Sequence, residues 1–277
     1  MKLNDVVAIS GVRTPMGKFG GTLKDVNVYD LGATAIKAAL ARAGVAGEQV
    51  DLVIYGNCRQ AGNGPNPSRS AAIFAGLPAQ VSTHTINMAC PSGMKTVQLA
   101  SQALRLGDAK LVVTGGMDSM STIPYLLKGV RFEGFYMGPK TLLDGWSDSI
   151  DPTCGCGMGE TAENLVDKYK LSREEQDRFA MESHQKAAKA QADMDLLEVN
   201  EAFAAQVLAD ERMLKWDRAK LNVHGGAIAL GHPTGISGAR ILITGYGALR
   251  RLGKEHLVAS ICGGGGVTMA MVIRRES

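Results

Sequence analysis

The first 120 positions alternate between short apolar runs and longer stretches with apolar residues at helical spacing. Four runs predict buried strands: "DVVAISGVRTP", ending at Gly11, then "VDLVIYGNC", "VSTHTINMAC" and "KLVVTGGMDSMS". Helices are predicted between them in "YDLGATAIKAALARAGV", which stops near Gly44, in "SRSAAIFAGLP" and in "GMKTVQLASQALRLGD". Strands that alternate with helices in this order predict a parallel sheet covered by helices.

The pattern is lost from position 123 to position 149, a stretch rich in glycine, methionine and aromatic residues that we interpret as an irregular excursion. A strongly helical stretch follows, with a break at Leu171-Ser172, where Ser172 and Glu175 form a capping box. Beyond it, "MDLLEVNEAFAAQVLAD" and "LVASICGGGGVTMAMVIRR" contain strands. A glycine-rich loop between these two leads into a helix that begins near Gly235.

Two stretches share one order of features. "SGMKTVQLASQALRLGDAKLVVTGG" and "SGARILITGYGALRRLGKEHLVASICGGGG" each begin with Ser-Gly, continue as a helix, break at glycine and end as a strand followed by glycines. This indicates an internal repeat, two copies of one α/β unit. Chance similarity between two such units is the alternative that the pattern leaves open.

The length, charge and composition of the chain argue against several classes of protein. The 277 residues are 45% hydrophobic and carry a net charge of +3, which allows one or two domains and is too slight for a nucleic-acid binder. There is no apolar run long enough to span a bilayer, and the first residues are too short and polar a stretch for a secretory signal. We therefore expect a soluble cytoplasmic protein that binds neither nucleic acid nor membranes.

The five cysteines argue against a structural framework. An odd number without a signal peptide does not suit a set of disulfides. Cys154 and Cys156 are separated by one residue and have no second pair of metal ligands nearby, which makes a zinc site a poor interpretation. The remaining three, Cys58, Cys90 and Cys262, must be considered one at a time.

Cys90 ends the strand-like part of "NMACPSGMK" and directly precedes a predicted helix. N–H groups and the dipole at a helix N-terminus favour a thiolate, and serine nucleophiles use the same kind of strand-to-helix turn. A free cysteine is also a common small residue of protein cores. The position alone therefore leaves two interpretations, a nucleophile and a buried structural thiol.

Three further residues are candidates for chemistry. His232 lies in the loop "GGAIALGHPTG", where a histidine can act as a general base or simply bond a backbone carbonyl. Cys262 precedes four glycines, whose N–H groups could hold an oxyanion, although a glycine run is as often a hinge. Asn200 opens the helical stretch "NEAFAAQ", where an N-cap is the ordinary role.

Taken together, these motifs resemble the thiolase family. The matching stretches cover nearly the whole chain in the family's order: "VRTPMGKFGGTL", "NMACPSGMK", "MGETAENL" with "SREEQD", "NEAFAAQ", "GGAIALGHPTGISGARI" and "CGGGG". The resemblance implies an α/β protein with a five-layer αβαβα fold and two similar mixed-sheet halves, the second apparently incomplete. It implies an N-terminal half at 1–120, part of a loop domain at 121–191 and part of a C-terminal half at 192–277.

The resemblance also implies an acyltransferase of fatty acid or aromatic acid metabolism. It would cleave a 3-oxoacyl-CoA with coenzyme A, or run the reverse Claisen condensation. Cys90 would be the acylated nucleophile, His232 the base that takes its proton, and Cys262 the acid–base group for the departing or attacking carbon. Asn200 would orient a water in one oxyanion site, and the N–H groups of Cys90 and Gly264 would form the other.

The expected partners are acyl-CoA and coenzyme A, the latter as co-substrate, with no tightly bound cofactor and no metal. The family's habit implies a homodimer or tetramer, which an accessory subunit could join.

Three residues depart from the family's pattern. Pro91 stands where glycine usually follows the nucleophile, and it stiffens the loop and removes one N–H. Gly157 stands where many members have a histidine that shapes the acyl pocket, so we expect room for a bulkier acyl group. His224 stands where asparagine is commoner, and we interpret it as a neighbour of the site rather than a second base.

The largest departure is a missing segment between "HQKAAKAQ" and "DMDLLEVNEAFAAQ", where the family carries on the order of a hundred further residues. A direct junction there would leave sheet edges unpaired. This keeps one alternative open, a non-catalytic or partner-dependent acyl-CoA-binding protein. A second is a condensing enzyme of the ketoacyl-synthase type. The cysteine of "CGGGG" speaks against it, because those enzymes use one cysteine with two histidines.

Overall fold

The computed structural model of the chain describes residues 5–132, 134–146, 150–189 and 196–276. Its first half contains the alternating helices and strands that the apolar pattern predicts. They are α1 (Val28–Ala43), β1 (Leu52–Gly56), α2 (Pro67–Phe74), β2 (Ser82–Ile86), α3 (Ser92–Leu106) and β3 (Val112–Gly116).

Four two-residue strands follow in the irregular stretch: β4 (Tyr125–Leu126), β5 (Leu143–Asp144), β6 (Ile150–Asp151) and β7 (Cys156–Gly157). The later elements are α4 (Met158–Tyr169), α5 (Arg173–Lys189), β8 (Leu196–Val199), α6 (Ala204–Leu214), α7 (Ala227–Leu230), α8 (Thr234–Leu252), β9 (His256–Gly263) and β10 (Val267–Arg274). The predicted break between α4 and α5 is confirmed, since Ser172 and Glu175 exchange the two hydrogen bonds of a capping box.

Two main sheets carry the fold. The first has the strand order β2-β1-β3, and both pairs are parallel, with Leu52 beside Ser82 and Val112. The second has the order β10-β9-β8, in which β8 and β9 are parallel and β10 is antiparallel to β9. Only the second sheet is therefore mixed in the described residues.

Helices form three layers around these sheets. The helices α1 and α2 pack on the outer face of the first sheet, and α3 and α8 lie between the two sheets. The helices α4, α5 and α6 cover the outer face of the second sheet. The order is helix, sheet, helix, sheet, helix, which is the predicted five-layer arrangement.

The two Ser-Gly helices of the repeat face each other at the centre of the molecule. A Cβ on Gly93 of α3 would lie 2.9 Å from the backbone nitrogen of Ala239, and one on Gly238 of α8 would lie 2.6 Å from the nitrogen of Met94. Each helix precedes a strand of its own sheet, which is β3 at the edge of the first sheet and β9 at the centre of the second. The structure thus confirms two similar halves, and glycine at these positions lets their helices approach closely.

One predicted strand is wrong. The stretch "DVVAISGVRTP" has no helix or strand in the described part of the chain, and the side chains of Val7 and Ile9 are 62% and 60% exposed. A strand needs a neighbour to satisfy its backbone, and β3, which ends the first sheet, does not pair with this segment. The division at 1–120, 121–191 and 192–277 stays a prediction.

No helix among residues 5–132, 134–146, 150–189 and 196–276 is long and apolar enough to cross a membrane.

Candidate active site

Cys90 lies in a tight turn between β2 and α3. Ala89, which precedes it, has a φ of 52°, a left-handed conformation that a residue with a side chain adopts at a cost. The Ser92 hydroxyl holds this turn, because its Oγ accepts the N–H of Met88 at 2.8 Å and donates to the carbonyl of Ala89 at 2.6 Å. The turn therefore places the Cys90 thiol at the start of α3.

The thiol of Cys90 is mostly buried, and its neighbours are specific. Burial raises its pKa to about 12, and the nearby thiols of Cys58 and Cys262 add to the rise. The N–H groups of Gly264 and of Cys90 itself bond the sulfur and act in the opposite direction. The expectation that the helix N-terminus would favour a thiolate is therefore wrong for the free protein, and Cys90 needs a base to lose its proton.

Cys262 lies near the end of β9, beside the nucleophile turn. A Cβ on the next residue, Gly263, would lie 2.5 Å from Cδ of Pro91, so the glycine loop packs directly on the residue that follows Cys90. Burial raises the pKa of Cys262 to about 11, with a smaller contribution from Asp210. At neutral pH this thiol is a proton donor next to a second thiol.

His232 is held in one orientation by Ser237. Its Nδ1 lies 2.7 Å from the Ser237 hydroxyl, and that hydroxyl donates to the carbonyl of Pro233 at 3.0 Å. The hydroxyl proton is thus used, which assigns the hydrogen of the ring to Nδ1 and leaves the lone pair on Nε2. Burial, and to a smaller extent Arg240, lowers the pKa of His232 to about 4, so the ring is neutral at pH 7.

Asn200 follows β8 and faces this histidine. Its side-chain nitrogen lies 3.5 Å from Nε2 of His232, and its backbone N–H donates to the carbonyl of Ser260 in β9 at 2.9 Å. The N-cap interpretation is wrong, because α6 begins at Ala204 with Phe203 as its cap residue. Within the described residues the buried Oδ1 of Asn200 has no hydrogen-bond partner, which suits a role in holding a polar ligand.

Glu201 is a site residue that the sequence analysis missed. Its buried carboxylate accepts hydrogen bonds from Ser183 at 2.7 Å, from the side chain of Asn222 at 2.8 Å and from the N–H of Ile228 at 3.0 Å. A Cβ on Gly226 would collide with this carboxylate. Glu201 therefore fixes the loop that leads to His232 against the segment that carries Asn200.

Asp118 is the second missed residue. Its buried carboxylate accepts from the N–H of Cys58 at 3.1 Å, from the side chain of Asn57 at 2.6 Å, from Thr234 at 3.1 Å and from the N–H of Gly235. Burial raises its pKa although these hydrogen bonds oppose the rise. It ties the loop after β1 to the N-terminus of α8, two residues beyond His232.

The sequence does contain a signal for one of the two missed residues, Asp118. Asn57 follows β1, Asp118 follows β3 and Asn200 follows β8, so each polar residue stands just beyond the carboxyl end of a parallel strand. Ligand sites of open α/β sheets form at those ends.

The structure brings the predicted residues together in two groups. Cys90, Cys262 and the N–H of Gly264 form one group, and His232 with Asn200 forms the other. Asn200 is bonded to Ser260, two residues before Cys262 on the same strand, so the groups adjoin at the carboxyl ends of β8 and β9. No cluster of three or more His, Cys, Asp or Glu suited to a metal occurs in the part of the chain that is described.

Of the residues that differ from the family's pattern, Gly157 lies beside this site. Gly157 is the N-cap residue of α4 and donates its N–H to Glu160 at 2.5 Å. A Cβ on Gly264 would lie 3.1 Å from the sulfur of Met158, so α4 borders the glycine loop. His224 lies 3.0 Å from the guanidinium of Arg251, and the structure shows no bond from it to His232.

The chain matches two family models, the N-terminal domain of thiolase over residues 6–199 and the C-terminal domain over residues 178–275. It is 35% identical to an acetyl-CoA acetyltransferase of Cupriavidus necator, with 99% of this chain and 100% of the relative covered. It is 33% identical to a probable acetyl-CoA acyltransferase of Staphylococcus epidermidis, with 99% of each covered.

Among solved structures, it is similar to the acetyl-CoA acetyltransferase of Bacillus anthracis. The identity is 31%, the TM-score is 0.94, and 98% of this chain and 99% of that chain are covered. The fold and these matches define an acyltransferase. The chain belongs to the thiolase family.

The relatives are longer than this chain. The alignment with the Cupriavidus necator enzyme runs over 394 positions and this chain has 277 residues, so at least 117 positions, 394 minus 277, hold no residue of this chain. The two family models overlap at residues 178–199, which contain the junction where the sequence analysis places the missing segment.

Proposed function

We propose that this chain carries out the thiolase reaction through an acyl group on Cys90. It cleaves a 3-oxoacyl-CoA with coenzyme A, or condenses two acyl-CoA molecules in reverse. The observation that carries this proposal is the convergence on one sulfur of a second thiol, from Cys262, and a backbone donor, from Gly264.

The first half-reaction uses both proton-transfer groups. Nε2 of His232 takes the proton of Cys90, and the sulfur attacks the ketone carbon of the substrate. The bond between that carbon and the neighbouring methylene then breaks. Its electron pair leaves with the acetyl-CoA fragment as an enolate, and the thiol of Cys262 protonates the enolate carbon. The raised pKa of Cys262, about 11, keeps this proton in place until the enolate forms.

The second half-reaction releases the acyl group. The thiolate left on Cys262 takes the proton of the coenzyme A thiol, which restores the Cys262 thiol, and the coenzyme A sulfur attacks the thioester on Cys90. The Cys90–acyl bond breaks, a new acyl-CoA leaves, and His232 returns a proton to the Cys90 sulfur. The N–H groups of Gly264 and Cys90 stabilise the oxyanion on the acyl group in both halves. A water held by Asn200, whose Oδ1 is otherwise unpartnered among the described residues, serves the other oxyanion.

We infer that the acyl pocket admits groups larger than acetyl. At Gly157 an added Cβ would meet only Glu160, at 3.4 Å, so there is open space where a side chain could stand. Turnover of a panel of 3-oxoacyl-CoA substrates of increasing bulk tests this, with Gly157→His as the comparison. Strict preference for acetoacetyl-CoA by the unmodified chain would contradict it.

The acyl-enzyme can be trapped directly. After incubation with acetyl-CoA and proteolysis, mass spectrometry should find one acetyl group on the peptide that contains Cys90. Cys90→Ser should abolish the adduct, whereas Cys58→Ser, which changes a neighbouring half-buried thiol, should keep it. Cys262→Ser should keep the adduct but prevent cleavage of 3-oxoacyl-CoA. A folded chain that gives no adduct would favour a non-catalytic acyl-CoA-binding protein.

We also propose a homodimer or tetramer as the working form, which rests on the family's habit alone. Analytical ultracentrifugation of the purified chain tests it.

A further inference from the structure

A large cavity lies beside β3, on the side opposite β1. Its volume is about 2250 Å³, and its walls include residues 6–19, the edge of β3, parts of α1, α3 and α8, and the end of β10. Sites for small molecules usually measure roughly 300–1,000 Å³. The cavity is therefore too large for an ordinary small ligand.

Two of its walls, residues 6–11 and the outer edge of β3, have no neighbouring strand in the part of the chain that is described. β3 pairs with β1 along one edge only, and its other edge faces the cavity. Across the cavity, residues 5–11 belong to no helix or sheet of the described chain, and Val7 and Ile9 are largely exposed. Such edges present unsatisfied N–H and C=O groups and readily accept an additional strand.

The internal repeat shows what is missing there. In the second half, α8 leads to β9, and β10 then pairs antiparallel along the free edge of β9. In the first half, α3 leads to β3, and the corresponding edge borders the cavity. The cavity thus occupies the place that β10 has in the other half.

Arg240 provides independent evidence that the cavity lacks a hydrogen-bond acceptor. Its side chain is 2% exposed and lines the cavity. It lies 3.7 Å from the carboxylate of Glu198, too far for a hydrogen bond, and none of its three nitrogens has a hydrogen-bond partner in the described residues. A guanidinium carries five N–H donors, and peptide carbonyl groups are suitable acceptors for them.

The charge of the lining favours one kind of occupant. Nine of the described lining residues are lysine or arginine and two are aspartate or glutamate, although the whole chain has a net charge of only +3. Arg13, Arg105 and Arg250 are among these cations. An occupant with acidic groups would neutralise this excess.

We propose that this cavity binds one extended strand of a separate polypeptide, antiparallel to β3, with alternating apolar side chains and acidic groups near its ends. In the alignment with the Cupriavidus necator enzyme, at least 117 positions, 394 minus 277, hold no residue of this chain. That number of residues is more than enough to form one such strand within a single chain. The strand would also cover His232, which lines the cavity. A second copy of the chain fits less well, because pairing two β3 edges would bring two linings with the same excess of cations together.

The probe is the segment of the Cupriavidus necator enzyme that lies between its counterparts of Lys189 and Leu196, produced as a separate tagged polypeptide. It should form a one-to-one complex with the full 277-residue chain. Hydrogen exchange should slow at the amides of residues 6–10 and of β3, and stay unchanged in β2. The dissociation constant should rise about tenfold or more from low to high salt, since the lining is cationic.

Two variants of matched exposure give the control. Ile9, which lines the cavity, is 60% exposed, and Met213, which lies outside it on α6, is 66% exposed, so lysine at either position should leave the fold intact. Ile9→Lys should weaken binding about tenfold or more, because its ammonium would be buried under the strand, and Met213→Lys should not change it.

Three results would overturn the proposal: no complex with the folded chain, protection confined to regions outside these walls, or an affinity that salt does not change. A fourth would be a dimer of the chain alone that protects the same amides, because the occupant would then be a second copy. Every readout is binding or exchange, so the outcome is independent of turnover and of the acyl-transfer proposal.

Discussion

Nδ1 of His232 and the hydroxyl of Ser237 lie 2.7 Å apart, and Ser237 in turn donates to the carbonyl of Pro233. This chain of two hydrogen bonds fixes both the position of the ring and the nitrogen that carries its hydrogen. The free lone pair then lies on Nε2, which faces Asn200. In the proposed reaction, this residue of α8, five positions after His232, thereby decides which nitrogen accepts the proton of Cys90.

Removing the Ser237 hydroxyl should impair catalysis more than folding. In Ser237→Ala, the imidazole loses its fixed orientation, and we expect kcat to fall about ten- to a hundredfold with little change in KM. Steady-state kinetics with a 3-oxoacyl-CoA measure the effect. Thr34→Ala is the control, since Thr34 also bonds the carbonyl four residues earlier in a helix, but in α1. Equal losses in both variants would contradict the role of Ser237.

The pKa of His232, lowered to about 4, makes a prediction about pH and stability. An unfolded histidine titrates near 6.5, so between about pH 6.5 and pH 4 the unfolded chain binds a proton that the folded chain does not. Stability should therefore be complete above about pH 6.5 and fall as pH decreases, by up to roughly 3 kcal/mol from this group. Urea unfolding at a series of pH values measures it.

The comparison variant for this pH series is His232→Asn, which has no group that titrates in this window. Its curve should be flatter between about pH 6.5 and pH 4. Parallel curves for the two proteins would show that His232 is not buried in its neutral form.

The carboxylate of Asp118 should stabilise the fold by accepting several hydrogen bonds. In Asp118→Asn, the amide would turn an N–H₂ group towards donors that now bond the carboxylate, including the N–H of Gly235 or that of Cys58. We expect the free energy of unfolding to fall by about 2–3 kcal/mol. Chemical denaturation tests this against Asp30→Asn, an exposed carboxylate in the first turn of α1, which should change stability by less than about 0.5 kcal/mol.

Gly226 should tolerate no side chain. In Gly226→Ala, the added methyl group would collide with the carboxylate of Glu201, which is held by three hydrogen bonds. We expect a loss of about 1–3 kcal/mol and reduced activity, because the loop towards His232 must shift.

The matched control for Gly226 is Gly159→Ala in α4, where an added Cβ meets nothing within 4 Å. This variant should be neutral or slightly stabilising, since alanine is the better helix residue. Thermal unfolding of both variants tests the pair, and a Gly226→Ala protein as stable as Gly159→Ala would contradict the collision.

The sequence predicts most helices and strands because caps, turn residues and apolar periodicity involve residues close to one another in the chain. α1 ends at Gly44 with a left-handed φ of 66°, α2 begins after the Asn66 cap, and the capping box of α5 forms as expected. The stretch around Val7 and Ile9 reads equally well as a strand, yet it is not one in the described chain. Whether an apolar run becomes a strand depends on a neighbour that lies elsewhere in the chain.

The site shows the same limit. The motifs indicate Cys90, His232, Cys262 and Asn200 as chemical residues, but not that Asn200 would bond Ser260 rather than cap a helix. The position after a strand end could have indicated Asp118. However, the sequence does not show which hydrogen-bond donors surround the carboxylate of Asp118 or that of Glu201. Their importance comes from the donors that converge on them from distant loops.

The sequence by itself determined the order of helices and strands, the repeat, and the family to which the residues around the thiols belong, because periodicity and short motifs are properties of neighbouring positions. Only the tertiary structure decided the raised pKa of Cys90, the neutral state and tautomer of His232, and the open edge of β3. These properties depend on burial and on contacts between segments far apart in the chain. A local sequence pattern shows neither which side chains lose their contact with water on folding nor which strand edges stay unpaired.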